Sequence, residues 1–207
     1  MNIRNIAILL TLSGAAAVYG QDPEGAAKHE VGLTLGGLFN AGRSGASTKL
    51  ELGPGTALQA NYGYRLFERT NYSLYGEVHF LANPQRQVSS QDQTLTRDVA
   101  TIFVTPGVRL KLFPRKAIAP YVAVGGGYAA FEQSTTSLNG KPNGASRELS
   151  RGAFDYGGGV DVRFWKFVGL RAEVRDFYTG SPAYNSAAFR GGQHNIVAGG
   201  GLVLRFR

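Results

Sequence analysis

The chain has no cysteine among its 207 residues, which removes any disulfide framework and any zinc-thiolate site. It also lacks an uninterrupted apolar run of about 18 residues, so no helix can anchor it across a bilayer. Histidine is scarce: His29, His79 and His194 are the only three, and no three ligands fall at metal-site spacing. Acids are outnumbered, 14 Asp and Glu against 22 Lys and Arg, for a net charge of +8. The basic residues are scattered and do not cluster with aromatics, which argues against nucleic acid as a partner and fits attraction to anionic lipid head groups. The Gly-x-Gly pattern at 157–159 runs into Val160-Asp161-Val162 with no following helix, so it lacks the context of a phosphate cradle. No cofactor is expected.

What the chain has instead is glycine, 29 residues without a Gly-X-Y period, and alternation. Residues 168–176 read Val-Gly-Leu-Arg-Ala-Glu-Val-Arg-Asp. Arg171, Glu173 and Arg175 share one parity, whereas Val168, Leu170, Ala172 and Val174 share the other. A strand sends successive side chains to opposite faces, so this segment has one apolar face and one charged face.

At the start, Arg4 is followed by an apolar run over 6–12 and small residues over 13–17. This is the order of a secretory signal peptide, read as 1–20 with cleavage after Gly20, or alternatively after Ala17. A short periplasmic segment over 21–29 and one β-domain over 30–207 follow, with no linker to divide them.

Eight strands are expected, at 30–39, 55–65, 72–82, 99–113, 118–131, 152–164, 167–177 and 194–206. Most reach the roughly 9–11 residues that a tilted strand needs to cross the hydrocarbon layer. Their links alternate: 66–71, 114–117 and 165–166 are short, whereas 40–54, 83–98, 132–151 and 178–193 are long and rich in turn formers. Tight turns at one end and long loops at the other are the pattern of an all-β, eight-stranded, antiparallel up-and-down transmembrane β-barrel. The fifth strand is ambiguous in facing, because Val122, Val124 and Tyr128 compete with Tyr121, Ala123 and Phe131. Pro106 inside the fourth strand calls for a bulge, because it removes a ladder donor.

Aromatic residues near the short turns, among them Tyr62, Tyr64, Phe67, Tyr72, Phe113, Phe164, Trp165, Phe167 and Phe206, suit an interfacial girdle. An arginine on the lipid face near mid-membrane would cost about 2 to 4 kcal/mol, so Arg171 and Arg175 must face the lumen. With the sixth turn centred on Lys166, Asp161 falls opposite Arg171. A slip of two residues would set it against Glu173. The lumen parity collects the acids Glu30, Glu77, Asp155, Asp161 and Glu173 and the bases Arg65, Arg109, Lys111, Arg163, Arg171, Arg175 and Arg205. Side chains fill an eight-stranded bore, so these charges are expected to form an ionic plug. Leu170 is read as lipid-facing and Leu138 as a solvated loop residue.

The chain resembles the small eight-stranded outer-membrane barrels of the OmpA transmembrane domain, OmpX, Ail and opacity types. The resemblance rests on Gly-Leu-Arg-Ala-Glu-Val-Arg-Asp-Phe at 169–177, on Pro120-Tyr121 followed by Gly125-Gly126-Gly127-Tyr128, and on a last strand ending Leu204-Arg205-Phe206. It covers 30–207 and implies residence in the bacterial outer membrane, with outer-membrane lipids, lipopolysaccharide, the assembly machinery and host or cell-surface molecules as partners. That family usually ends on the aromatic residue, whereas here Arg207 follows Phe206. No further domain is expected after the eighth strand. The implied role is non-enzymatic, in envelope integrity or surface interaction through four long loops. A lipid A-modifying enzyme and a narrow passive pore are the alternatives. For the enzyme, His79 shares a face with Glu77 but has no His-x-Ser element beside it. The loop cations Arg43, Lys49, Arg86, Arg97, Lys141, Arg147, Arg151 and Arg190 are candidates for contact with phosphates or acidic surfaces.

Overall fold

The computed structural model describes residues 27–40, the backbone of 43–44, and residues 49–180, 184 and 191–207. The leader at 1–20 and most of 21–29 lie outside these residues. Every regular element described is a strand: β1 His29–Phe39, β2 Arg43–Ser44, β3 Lys49–Leu52, β4 Gly55–Glu68, β5 Tyr72–Ser90, β6 Asp98–Leu112, β7 Ile118–Gln133, β8 Glu148–Arg163, β9 Val168–Gly180 and β10 Gly192–Phe206. Eight of them close a ring. β4, β5, β6, β7, β8, β9 and β10 pair in sequence, and β1 joins β4 to β10, all antiparallel. Closure leaves no free edge within the hydrocarbon layer, the condition for spanning it with strands.

Three departures from the sequence reading have physical causes. The segment 83–98, expected as a loop, is largely strand. The Asn83-Pro84 signal marks a bulge, with a register shift between Asn83 and Arg86, after which β5 continues to Ser90. The bulge absorbs the proline and reverses the parity, so that Arg86 and Val88 turn inward. The segment 40–54 contains β2 and β3, which pair with each other and then with the upper part of β5. Pro106, by contrast, sits in an unbroken register: Val104 opposes Tyr128 and Gly107 opposes Gly125 at one offset, with pairing to β7 lapsing only at Thr105 and Pro106. Val78 on β5 still faces Pro106 as a regular partner. The missing donor costs a local gap in one ladder and requires no bulge.

The facing of β7 is settled by burial. Tyr121, Ala123 and Phe131 point inward and are buried, whereas Val122, Val124 and Tyr128 are exposed on the outer wall. The outer wall is apolar, and its aromatic residues gather toward both ends. Tyr62, Tyr64, Phe67, Tyr72, Phe164, Trp165 and Phe167 are exposed near the short turns, and Phe39, Tyr128, Phe154 and Tyr178 near the loops. Phe206 stacks on His29 at 5.5 Å.

The described loops form an ordered cap. Thr96 bridges Ser137, Arg97 donates its backbone N–H to Thr136 at 3.1 Å, and Leu138 donates to Leu95 at 2.9 Å, so that 91–97 and 134–147 are zipped together. Leu138 is therefore not a solvated loop residue; it packs against the apolar interior beneath the cap.

Candidate functional site: the barrel lumen

The lumen is divided into two chemically distinct halves. In the half toward the short turns, carboxylates and cations alternate. Glu30 on β1 accepts from Lys111 at 2.6 and 2.7 Å, from Arg109 at 2.8 Å and from Arg205 at 3.1 Å. Asp161 on β8 accepts from Arg171 Nε at 2.7 Å and Nη2 at 3.0 Å, and Lys111 lies 2.8 Å away. Asp161 and Arg171 are direct partners in the β8–β9 register. Deeper in the bore, Arg175 reaches Asp155 at 2.8 Å, Glu173 at 3.0 Å and Glu77. Glu77 also accepts from Asn61 at 2.9 Å, with Arg109 Nε 3.1 Å away. The two clusters are joined by Arg109, which touches both Glu30 and Glu77.

Five acids, Glu30, Glu77, Asp155, Asp161 and Glu173, and five bases, Arg109, Lys111, Arg171, Arg175 and Arg205, make up this network, so its formal charge is zero. The other two cations on the lumen parity lie elsewhere. Arg65 pairs with Glu68 at the mouth. Arg163 is exposed and donates to the carbonyl of Arg115 at the turn. Strand parity gives a face but not a depth, and both residues lie where the strands leave the membrane.

Two tyrosines missed in the sequence complete the network. Arg109 lies over Tyr75 at 4.9 Å and over Tyr121 at 5.4 Å, Lys111 over Tyr75 at 5.0 Å, and Arg171 over Tyr121 at 4.9 Å. Tyr121 also donates its hydroxyl to Glu173 at 2.7 Å. Room for the guanidinium of Arg109 comes from Gly63, where a Cβ would stand 2.6 Å from Nη2.

Above the ions lies a neutral polar layer. Gln59 donates to Thr34 at 2.9 Å and meets His79 Nε2 at 3.1 Å, and the His79 ring packs on Phe177 at 5.5 Å. From there to the loops the lumen holds an aromatic cluster bordered by the buried polar side chains of Asn83, Arg86, Thr101, Thr179, Gln193 and Asn195: Phe103 packs on Phe177 at 5.0 Å and on Phe131 at 6.2 Å. Leu38, Leu81 and Val197 fill the space between them, and Leu50, Leu95 and Tyr184 close it from above. His79 is thus a packed interior residue whose neighbours are Gln59, Glu77 and Phe177.

The described loop cations do not converge. Lys49 pairs with Glu51 at 2.6 Å, Arg97 with Asp98 at 3.4 Å, and Arg147 with Glu132 at 2.6 Å. The Glu51 carboxylate raises the Lys49 pKa through its hydrogen bond, and Lys49 lowers that of Glu51. In the cap, the Thr94 hydroxyl and backbone N–H bonded to Asp92 hold its carboxyl below the ordinary range. Arg151 is not a loop residue, because β8 begins at Glu148, before the expected start; it donates to the carbonyl of Ser150 at 3.1 Å, and Lys141 is exposed at the tip of the 134–147 loop. Arg86 is no loop residue; it is buried and donates to the Gly53 carbonyl at 3.1 Å. The side chains of Arg43 and Arg190 lie outside the described residues.

A model of the outer membrane protein beta-barrel domain matches residues 6–206 of the chain. Among solved structures the chain is similar to Neisserial surface protein A, at 14% identity and a TM-score of 0.55, over 88% of this chain and 100% of that one. It is also similar to OprG of Pseudomonas aeruginosa, at 15% identity and 0.53, over 90% and 100%. The likeness to AlkL has 12% identity and 0.52, over 92% and 96%. At these identities the likeness is one of fold. No curated protein matches the sequence.

Proposed function

The chain belongs to the outer membrane protein beta-barrel domain family, and from that premise we propose that it is a closed, non-enzymatic barrel of the bacterial outer membrane. Its role in this reading is structural and interactive: a rigid wall in the envelope that presents an ordered cap to the exterior. The observation that supports the proposal is the lumen, filled at two levels, by a neutral ionic network toward the short turns and by the Phe103, Phe131 and Phe177 cluster toward the loops. Barrels of this class place short turns in the periplasm and longer loops outside. On that orientation the zipped 91–97 and 134–147 segments face the cell exterior. Surface contact then falls to the cap as a shaped surface rather than as a basic patch, because Lys49, Arg97 and Arg147 are already paired with acids. Export through a leader ending near Gly20 fits this location.

A narrow pore is the competing reading, and planar-bilayer recording separates the two. The closed barrel gives conductance at background. Reproducible unitary steps from the refolded protein would overturn the proposal.

A further inference from the structure

One polar group stands on the wrong side of the wall. Asp176 belongs to the lipid-facing parity of β9, in line with Leu170 and Val174, both exposed. A carboxylate there is costly unless it is held and used. It is fully held. Tyr156 on β8 donates its hydroxyl to Asp176 Oδ2 at 2.9 Å, His194 Nδ1 on β10 lies 2.6 Å from the same oxygen, and the backbone N–H of Asn195 donates to Oδ1 at 3.2 Å. Asn40 fixes the strand behind His194 by donating to its carbonyl at 2.6 Å.

This arrangement fixes what the cluster can offer. In the neutral imidazole a carboxylate at Nδ1 selects the tautomer with its proton on that nitrogen, leaving the lone pair on Nε2. The His194 side chain is 53% exposed, so the cluster presents a hydrogen-bond acceptor to the membrane side of the wall. Beside it the Tyr178 ring packs on the imidazole at 4.9 Å. Both oxygens of Asp176 are occupied, and among the described residues the cluster holds no lysine or arginine. With the imidazole neutral, a phosphate meets no described cation there, whereas a hydroxyl donor finds an acceptor flanked by an aromatic face.

Tyr156 also borders an apolar groove of about 370 Å³ on the same outer wall, lined by Leu74, Val108, Leu110, Val122 and Val124. Leu74 and Leu110 lie two residues from the short-turn ends of β5 and β6, whereas His194 lies two residues from the loop end of β10. Groove and cluster thus form a path that climbs the wall, apolar below and polar at the level of the upper girdle, with Tyr156 common to both. In a membrane the natural occupant of such a path is one amphiphile.

We propose that the groove and the Tyr156–Asp176–His194 cluster together bind a single outer-leaflet lipid with a sugar head group. Its acyl chain lies along the groove, and a sugar hydroxyl donates to His194 Nε2. The site is on the outside of the barrel, so it stands or falls independently of whether the lumen conducts.

Native mass spectrometry of the detergent-purified barrel tests this with equimolar monoglucosyl-diacylglycerol and phosphatidylethanolamine. Monoglucosyl-diacylglycerol is expected to be retained as one molecule per barrel, about fivefold over the competitor, the scale of one hydrogen bond. His194→Phe keeps the ring against Tyr178 and should abolish that preference. Val124→Trp fills the groove and should reduce retention of both lipids. Leu35→Trp, on the exposed β1 wall, should change nothing, and heat-modifiable gel migration confirms that each variant is folded. Equal retention by all four proteins, no preference in the wild type, or preference for phosphatidylethanolamine would each overturn the proposal.

Discussion

Replacing Glu30 by Gln removes the acid that four cations share in the short-turn half of the lumen, Lys111 at 2.6 Å, Arg109 at 2.8 Å, Arg205 at 3.1 Å and Arg171 at 3.8 Å. Breaking a buried ion pair from one side costs about 3 to 5 kcal/mol, because the partner is left charged and desolvated. Lys111→Met is a comparable loss seen from the other side, because Lys111 lies between Glu30 and Asp161, 2.6 and 2.8 Å from them. The double variant removes one acid and one base together. Four acids and four bases then remain, Asp161 keeps both bonds from Arg171, and the methionine chain fills the space of the lysine stem. The two changes should therefore be non-additive, with a coupling of about 2 to 3 kcal/mol, at the upper end for residues in one network. Urea unfolding in lipid vesicles, followed by the fluorescence of Trp165, the only tryptophan, provides the four free energies of the cycle. Additivity within about 0.5 kcal/mol would refute the idea that neutrality of the network, rather than each contact by itself, stabilises the lumen.

The remaining predictions use the same assay or the bilayer. Leu170 is 52% exposed on the outer wall, so Leu170→Arg should cost about 2 to 4 kcal/mol, while Ala145→Arg in the exposed cap should leave unfolding unchanged; equal losses would mean that β9 is wrongly oriented. Leu138→Arg should also destabilise, by about 1 to 3 kcal/mol, because Leu138 packs on the apolar interior. Gly63→Val places a Cβ against the Arg109 guanidinium and should cost about 3 kcal/mol by displacing it from Glu30; an unchanged midpoint would show that the glycine is not making room. Phe103→Ala opens a cavity in the upper lumen, but conductance should stay at background because the ionic half still seals the bore; unitary steps in this variant would locate the seal at the aromatic layer alone.

The wall was legible in the sequence because its periodicity is strict. Alternation over 168–176 assigns both faces of β9, and a turn centred on Lys166 is enough to set Asp161 against Arg171, as the register has it. Other features escape that logic. Strand parity cannot say how deep a residue sits, so Arg65 and Arg163 looked equivalent to Arg109 although they lie at the mouth and in solvent. Asn83-Pro84 reads as a turn, yet a closed neighbour on each side converts it into a bulge and carries Arg86 inside. Parity was also silent at β7, where small and aromatic residues alternate with valines, and this hid Tyr121 and its role beneath Arg171.

The two halves of the lumen answer different demands along the strand. Near the short turns the inward residues are long and charged, and small neighbours such as Gly63 let arginines reach across the bore to distant strands; Arg109 on β6 meets Glu30 on β1. Such bonds tie together strands that share no ladder, and they do so with directional geometry. Toward the loops the aromatic cluster continues upward into Leu95 and Tyr184, which come from outside the barrel strands. The buried acids at that level, Asp98 and Glu132 at the loop ends of β6 and β7, already take their cations, Arg97 and Arg147, from the loops, and a half-satisfied buried network is worse than an apolar one. Apolar packing tolerates small displacements, so it can join a rigid wall to a cap made of loops. The division therefore follows from which part of the lumen has strands on every side to position its charges.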